Sequence, residues 1–391
     1  MSKRSVRFPA LLAGLLALLS CRAESDVASS NPAAAPPAPA PPERKAVPLD
    51  GAVNETLKFL AGLPSDSESY RPLRETPAWQ DYARGLEANW AAVEEARLKP
   101  MTAWAEAELA EAFSSAKTVF YPFGGPDFIT AFRLFPKAET YILLGLEAVG
   151  NLPALLPMTP AQIEGYLALM NAALADFFMR SYFITGHMDA SLPQLDGVLP
   201  VVAFFLARSG NAVVSVRRVD FTAEGGLVET PYPSLAERAG RPKGIRVDFV
   251  AAGTDSVRTL YYFSGDLEDP AFLPESPFHR YLNGLPEVTT FIKSASYLLH
   301  YGSFSRVRNI ILSKSRHILE DDTGIPYKYF GDGWKVQLYG VYEKPIKDFS
   351  NVDQPDLAEA YLVPGAAKAL PFSLGYHWRS RKDNLLFIRR D

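Results

Sequence analysis

A single cysteine in 391 residues, Cys21, leaves the chain unable to form an internal disulfide or a Cys-rich zinc site. Histidine is also scarce. The five, His187, His279, His300, His317 and His377, are scattered, and no H-E-x-x-H helix is present. Only His187 with Asp189 has a spacing that suits a shared metal, so neither a metal nor a resident cofactor is expected. No G-x-S-x-G elbow occurs, and Ser114 to Lys117 satisfies S-x-x-K without the S-D-N and K-T-G partners that chemistry needs. Beyond the N-terminus no apolar run reaches the roughly 18 residues of a membrane-spanning helix. A basic excess is missing too: 40 Lys and Arg face 44 Asp and Glu, a net charge of −4. Nucleic acid as a partner is excluded on that balance.

What is present begins at the N-terminus. Lys3, Arg4 and Arg7 precede an apolar stretch of 12 residues, Phe8 to Leu19, too short to span a bilayer and ordered like an export signal. The stretch ends in Leu18-Leu19-Ser20-Cys21, which resembles the lipobox of bacterial lipoproteins. The resemblance implies cleavage before Cys21, acylation of its thiol with palmitate-type chains and a membrane tether, since two or more chains anchor stably. Arg22 stands where such lipoproteins often carry an Asp that signals inner-membrane retention. The expected location is therefore the cell envelope, outer membrane favoured, facing periplasm or exterior. Removing Lys3, Arg4 and Arg7 leaves 37 basic against 44 acidic residues, a charge of −7.

Residues 22–50 are rich in proline and alanine and bury too little apolar surface to fold. As polyproline II, the 17 residues from Pro32 to Pro48 reach roughly 50 Å, a stalk beneath the domain. Residues 51–391 are expected to form a single domain, with a helical lead-in over 51–116 and an α/β core over 117–391. Trp79, Tyr82, Leu86, Trp90 and Val93 recur at helical steps. A second helix is expected after a break at Pro100. Strands are expected at Thr118 to Phe123 and Thr140 to Leu146, then helices at Pro160 to Phe183 and Gly197 to Arg208. Strands follow at Ala212 to Asp220, Gly244 to Ala251 and Arg258 to Phe263. Helices are read at Pro286 to Leu299 and Phe304 to Leu319, and closing strands at Trp334 to Tyr342, Ser373 to Trp378 and Asn384 to Ile388. This alternation predicts an α/β fold: a mixed or mostly parallel sheet with helices on its faces, a Rossmann-like centre and a helical N-terminal segment.

The segment Val119 to Val149 carries the main chemical signal. A buried strand, the turn Gly124-Gly125-Pro126-Asp127, a helix and a strand ending Gly145-Leu146-Glu147 follow the order of a nucleotide-binding unit. Glu147 lies 22 residues beyond Gly125, where an acid binds a ribose hydroxyl in such units. The pattern resembles the first two strands of class I methyltransferases, although a full G-x-G-x-x-G is missing and Pro126 removes an N–H. S-adenosylmethionine and dinucleotides are cytoplasmic supplies, which opposes that chemistry in an exported protein.

Phe120 to Asp127, Gly145 to Glu147, Lys293 to Leu298, Asp321 to Tyr327 and Gln337 to Gly340 also resemble a family of uncharacterised bacterial envelope proteins, to which no activity attaches. Two further readings stay open. Asp127, Glu147 and Asp322 are candidates for a loop-carboxylate hydrolase, Asp266 being a weaker one. Against that, Asp127 and Asp266 read as caps and Glu320-Asp321-Asp322 as a solvated charge run. The leading expectation is a ligand- or partner-binding lipoprotein using the face that bears Gly124, Gly125 and Asp127. The aromatics Tyr297, Tyr301, Tyr327, Tyr329, Phe330 and Trp334 are expected mostly in the core.

Overall fold

Short β-branched and aromatic runs separated by amphipathic helices build one sheet covered on both faces in the computed structural model. The structure describes residues 47–115, 117–233 and 243–390, all within one compact unit, Ala46–Asp391. The expected signal peptide, Cys21 and the stalk up to residue 46 lie outside the described residues.

The strands are β1 (Thr118–Tyr121), β2 (Thr140–Gly145), β3 (Ala212–Phe221), β4 (Leu227–Pro231), β5 (Gly244–Val250) and β6 (Val257–Ser264). They continue with β7 (Val288–Ile292), β8 (Ser315–Glu320), β9 (Trp334–Gly340), β10 (Ala367–Lys368) and β11 (Asn384–Arg390). Their spatial order is β10-β9-β11-β8-β7-β1-β2-β6-β5-β3-β4. The five central strands, β8-β7-β1-β2-β6, run parallel. Antiparallel pairs flank them, β11 against β8 and β9 on one side and β6-β5-β3-β4 on the other. The sheet is thus mixed and the class is α/β.

Alternation along the central strands decides which layer each side chain joins, because successive residues point to opposite faces. Val119, Tyr121, Tyr141 and Leu143 face one core with the helices Gly51–Leu60, Pro77–Val93, Pro160–Arg180 and Leu199–Arg208. Phe120, Ile142, Leu144 and Ile292 face the other with the helices Pro277–Asn283, Ser305–Lys314 and Pro355–Leu362. The aromatic stripe Trp79 to Trp90 is buried as core, as its spacing predicts.

Several expectations need correction. Pro286 to Leu299 is not a helix: β7 occupies Val288–Ile292, buried at every position, as a central parallel strand must be. The helix read to Leu319 stops at Lys314, and Ser315–Glu320 is β8. Ser373 to Trp378 is no strand; a 3₁₀ turn spans Gly375–Arg379. The expected break before a second helix is present: the helix Pro77–Val93 gives way to a wide π-type turn at Glu94–Leu98, and the next helix, Lys99–Glu108, carries Pro100 in its first turn, where a missing N–H costs little. Among the described residues no single helix is long and apolar enough to cross a membrane.

Candidate functional site

At the carboxyl end of β1 the chain turns through Phe123 and Gly125, both in the left-handed region at φ 62° and 52°. The Gly125 N–H donates to the Leu144 carbonyl at 2.9 Å, tying this turn to β2. At the end of β2, a Cβ on Gly145 would sit 2.7 Å from the Tyr262 hydroxyl and 3.0 Å from the Gly125 Cα. Only glycine allows these two backbones to meet. The Glu147 carbonyl accepts from the Tyr262 hydroxyl at 2.8 Å, and the Glu147 carboxylate overhangs Gly145.

Asp127 caps the helix Phe128–Leu134, accepting from the Thr130 N–H at 3.4 Å and its hydroxyl at 2.7 Å. Its second oxygen accepts from the Tyr121 hydroxyl at 3.0 Å and the Lys293 ammonium at 2.6 Å. This ion pair is buried, with side chains 1% and 2% exposed. Lys293 also donates to the Ser181 carbonyl and, at 3.5 Å, to the Thr130 hydroxyl. Burial pushes the Lys293 ammonium below its ordinary range, and the Asp127 charge opposes that.

After Lys293 comes a strap, Ser294 to Tyr297, in which Ser294, Ser296 and Tyr297 hold φ of 51°, 50° and 54°. Each non-glycine residue in that region costs on the order of 1–3 kcal/mol, so the surroundings must over-determine the strap. They do. The Ser294 N–H donates to Asp321 at 2.9 Å, the Ala295 N–H to the Thr323 hydroxyl at 2.8 Å, and the Tyr376 hydroxyl to the Ser294 carbonyl at 2.8 Å. Tyr297 donates to Asp322.

Glu320-Asp321-Asp322 is therefore not a solvated charge run: these residues are 1%, 3% and 4% exposed. Burial drives Glu320 well above the carboxylate range, although the Ile325 N–H donates to it at 2.9 Å. Burial, and then the Asp322 charge, push Asp321 up to about 7 from 3.8. Asp322 accepts from the Asn384 amide at 3.0 Å and lies 3.4 Å from His377 Nε2. Burial lowers His377, but the hydrogen bond and charge of Asp322 outweigh it and leave the imidazole raised.

The Asp321 shift has a measurable consequence. The folded-state value exceeds the unfolded one, so its contribution to stability is fully present below 3.8 and is lost as pH rises through about 7. Urea unfolding of the wild type should show that loss across the interval, and Asp321→Asn should remove it. Equal pH slopes in the two proteins would refute the assignment.

Between the two glycine turns and the strap lies a cleft of about 490 Å³. Gly124, Gly125, Asp127 and Glu147 all line it; Asp322 does not, standing beneath the strap. Asp266 lines it too and caps its own turn, accepting from the Glu268 N–H at 2.8 Å. Sequence reasoning attached no role to Lys293, Tyr182, Phe349 or Tyr376, which also line the cleft. They converge from distant segments, and no local spacing signals that. His187 Nδ1 lies 2.8 Å from Asp176, whereas the side chain of Asp189 lies outside the described residues. Among the described residues no group of three or more His, Cys, Asp or Glu is placed to hold a metal ion.

No family model matches the chain, and no curated protein matches it.

Proposed function

We propose that this chain is a lipid-anchored protein of the cell envelope, extracytoplasmic, that binds a small organic molecule in the cleft above β1, β2 and β7. One observation carries the reading. The cleft lies outside the carboxyl ends of the parallel strands, where the order reverses between β1 and β7, and open α/β sheets bind ligands at that crevice. Strained backbone at Phe123, Ser294, Ser296 and Tyr297 around it supports the reading, because such strain collects at ligand sites. The volume falls in the ordinary range for small-molecule pockets, about 300–1,000 Å³.

The test is thermal-shift screening of the mature chain against sugars, cell-wall fragments, nucleosides and amines, repeated on Leu146→Trp, which enlarges an exposed side chain of the cleft lining and leaves the glycine contact intact. A true ligand raises the melting temperature of the wild type and not of the variant. If no compound acts, or every hit also acts on the variant, the cleft is not the site.

The anchor rests on the lipobox. Cys21→Ser is expected to abolish labelling by radioactive palmitate and release the protein from membranes. Unchanged labelling would remove the tether from this reading.

A second reading, a degenerate methyltransferase-like fold with a Rossmann-like centre, has specific support. Numbered among themselves in chain order, the parallel strands β1, β2, β6, β7 and β8 lie in the order 3-2-1-4-5, that of doubly wound nucleotide-binding sheets. Glu147 stands at the end of the second, beside Gly125. The nucleoside arm of the screen decides it. The carboxylate hydrolase draws less support, because Asp127 is held by Lys293 and Asp322 lies outside the cleft.

A further inference from the structure

We propose that the ligand of the cleft is a neutral lipophile whose apolar body carries an aromatic ring; this rests on the cleft being the ligand site. The half-buried rings of Phe123, Tyr182, Phe183, Phe304, Phe349 and Tyr376 line it, each with part of its apolar surface still meeting water. Leu146, just past the end of β2, is 63% exposed in the same lining. A ligand that covers such surface gains by removing it from water, in proportion to the apolar area buried.

The rings are held by one another and by the strap. Phe349 stacks on Tyr376 at 5.6 Å and 14°, Tyr182 meets Tyr376 edge-on at 4.8 Å, and Phe123 meets Phe304 edge-on at 6.1 Å. The Tyr376 hydroxyl donates to the Ser294 carbonyl at 2.8 Å and accepts from the Ser296 N–H at 3.2 Å. Rings fixed in this way have little rotamer freedom left to lose on binding. They also offer a further ring edge-on and offset contacts that add to plain area burial.

Much of the polarity in the lining is already spent internally. The Lys293 ammonium and the Asp127 carboxylate meet each other, and the hydroxyls of Tyr121 and Thr130 also donate to Asp127. The Ser296 hydroxyl pairs with that of Tyr376 at 3.0 Å. The Gly125 N–H donates to the Leu144 carbonyl and the Gly265 N–H to the Gly145 carbonyl, both at 2.9 Å. A polyol would shed water from each hydroxyl to meet groups that already have partners, a penalty an apolar body does not incur.

The test is calorimetric titration of the mature chain carrying Cys21→Ser, which needs no detergent to compete for the probe. The probes are phenylethanol, phenylpropanol, phenylbutanol, cyclohexylbutanol, methyl glucoside and adenosine. Each added methylene is expected to tighten binding about threefold to fourfold, the ratio for a CH2 leaving water. Phenylbutanol is expected to bind at least as tightly as cyclohexylbutanol, although the saturated ring is the more hydrophobic. Phe349→Leu, with Phe304→Leu as a second variant should the first not fold, is expected to weaken phenylbutanol severalfold and cyclohexylbutanol less. Phenylalkanols that fail to bind, or that show no gain along the series, overturn the proposal, as does tighter binding of cyclohexylbutanol. Methyl glucoside or adenosine binding that Leu146→Trp abolishes, with no phenylalkanol bound, sinks the lipophile and leaves the cleft a ligand site. Phenylbutanol binding that neither Leu146→Trp nor Phe349→Leu weakens places the probe elsewhere and overturns the proposal. The cleft reading falls with it if no other compound loses binding in Leu146→Trp.

Discussion

Lys293→Met is expected to destabilise the protein by about 3–5 kcal/mol, the cost of removing one partner of a buried ion pair. The cause is the group left behind. Asp127 would stay at 2% exposure, with two hydroxyls and one N–H as its remaining donors among the described residues. The Ser181 carbonyl would lose its Lys293 donor as well, and Ser181 sits in the left-handed region at φ 74°. Removing both charges should be far cheaper, so Lys293→Met with Asp127→Leu is expected to recover much of the loss. Urea denaturation of the single and double variants checks this, with the double-mutant cycle giving the coupling. Additive losses would mean the pair is not a coupled unit and would undermine the description of the cleft floor.

Asp322→Leu is the second large effect, also about 3–5 kcal/mol, because it strands several buried donors at once. Tyr297, Asn384 and His377 all converge on this carboxylate from the strap, β11 and the 3₁₀ turn. The Tyr297 backbone is strained, so losing its hydroxyl anchor should also free the strap. Hydrogen exchange at residues 294–298 is expected to accelerate in the variant while the helix Pro160–Arg180 stays protected. Asp322→Asn keeps one acceptor oxygen and should fall between. If Asp322→Leu unfolds at the same urea concentration as the wild type, Asp322 is not the hub described here.

Legibility varied along the chain for physical reasons. The turn Gly124 to Asp127, the strands on either side of it and Glu147 were readable locally. Glycines, an N-cap acid and β-branched runs are chemical choices made within a few residues. Strand β7 was not readable as a strand, although Val288-Thr289-Thr290-Phe291-Ile292 is β-branched and aromatic. Buried on both faces, it lacks the alternation that separates a strand from a buried helix. Ser315–Glu320 was absorbed into the preceding helix for a related reason: its pairing with β7 and β11 is long-range and leaves no local mark.

The three consecutive acids Glu320, Asp321 and Asp322 show the same limit in electrostatics. Three adjacent carboxylates read as surface, since desolvating them is costly. Asp321 and Asp322 are met by donors that arrive from far away, Ser294 and Tyr297 after β7, His377 in the 3₁₀ turn and Asn384 in β11, whereas Glu320 is met locally by the Ile325 N–H.

By itself the sequence determined the lipobox expectation at Cys21, the α/β class, the helical and strand periodicities of the first two thirds, and the exclusion of disulfides. Each depends on residue type at short spacing. The tertiary structure alone decided that Gly125 meets Gly145, that Lys293 neutralises Asp127, and that Asp322 braces the strap from outside the cleft. Those contacts join residues up to 166 positions apart, and only the order in which strands pair brings such residues together.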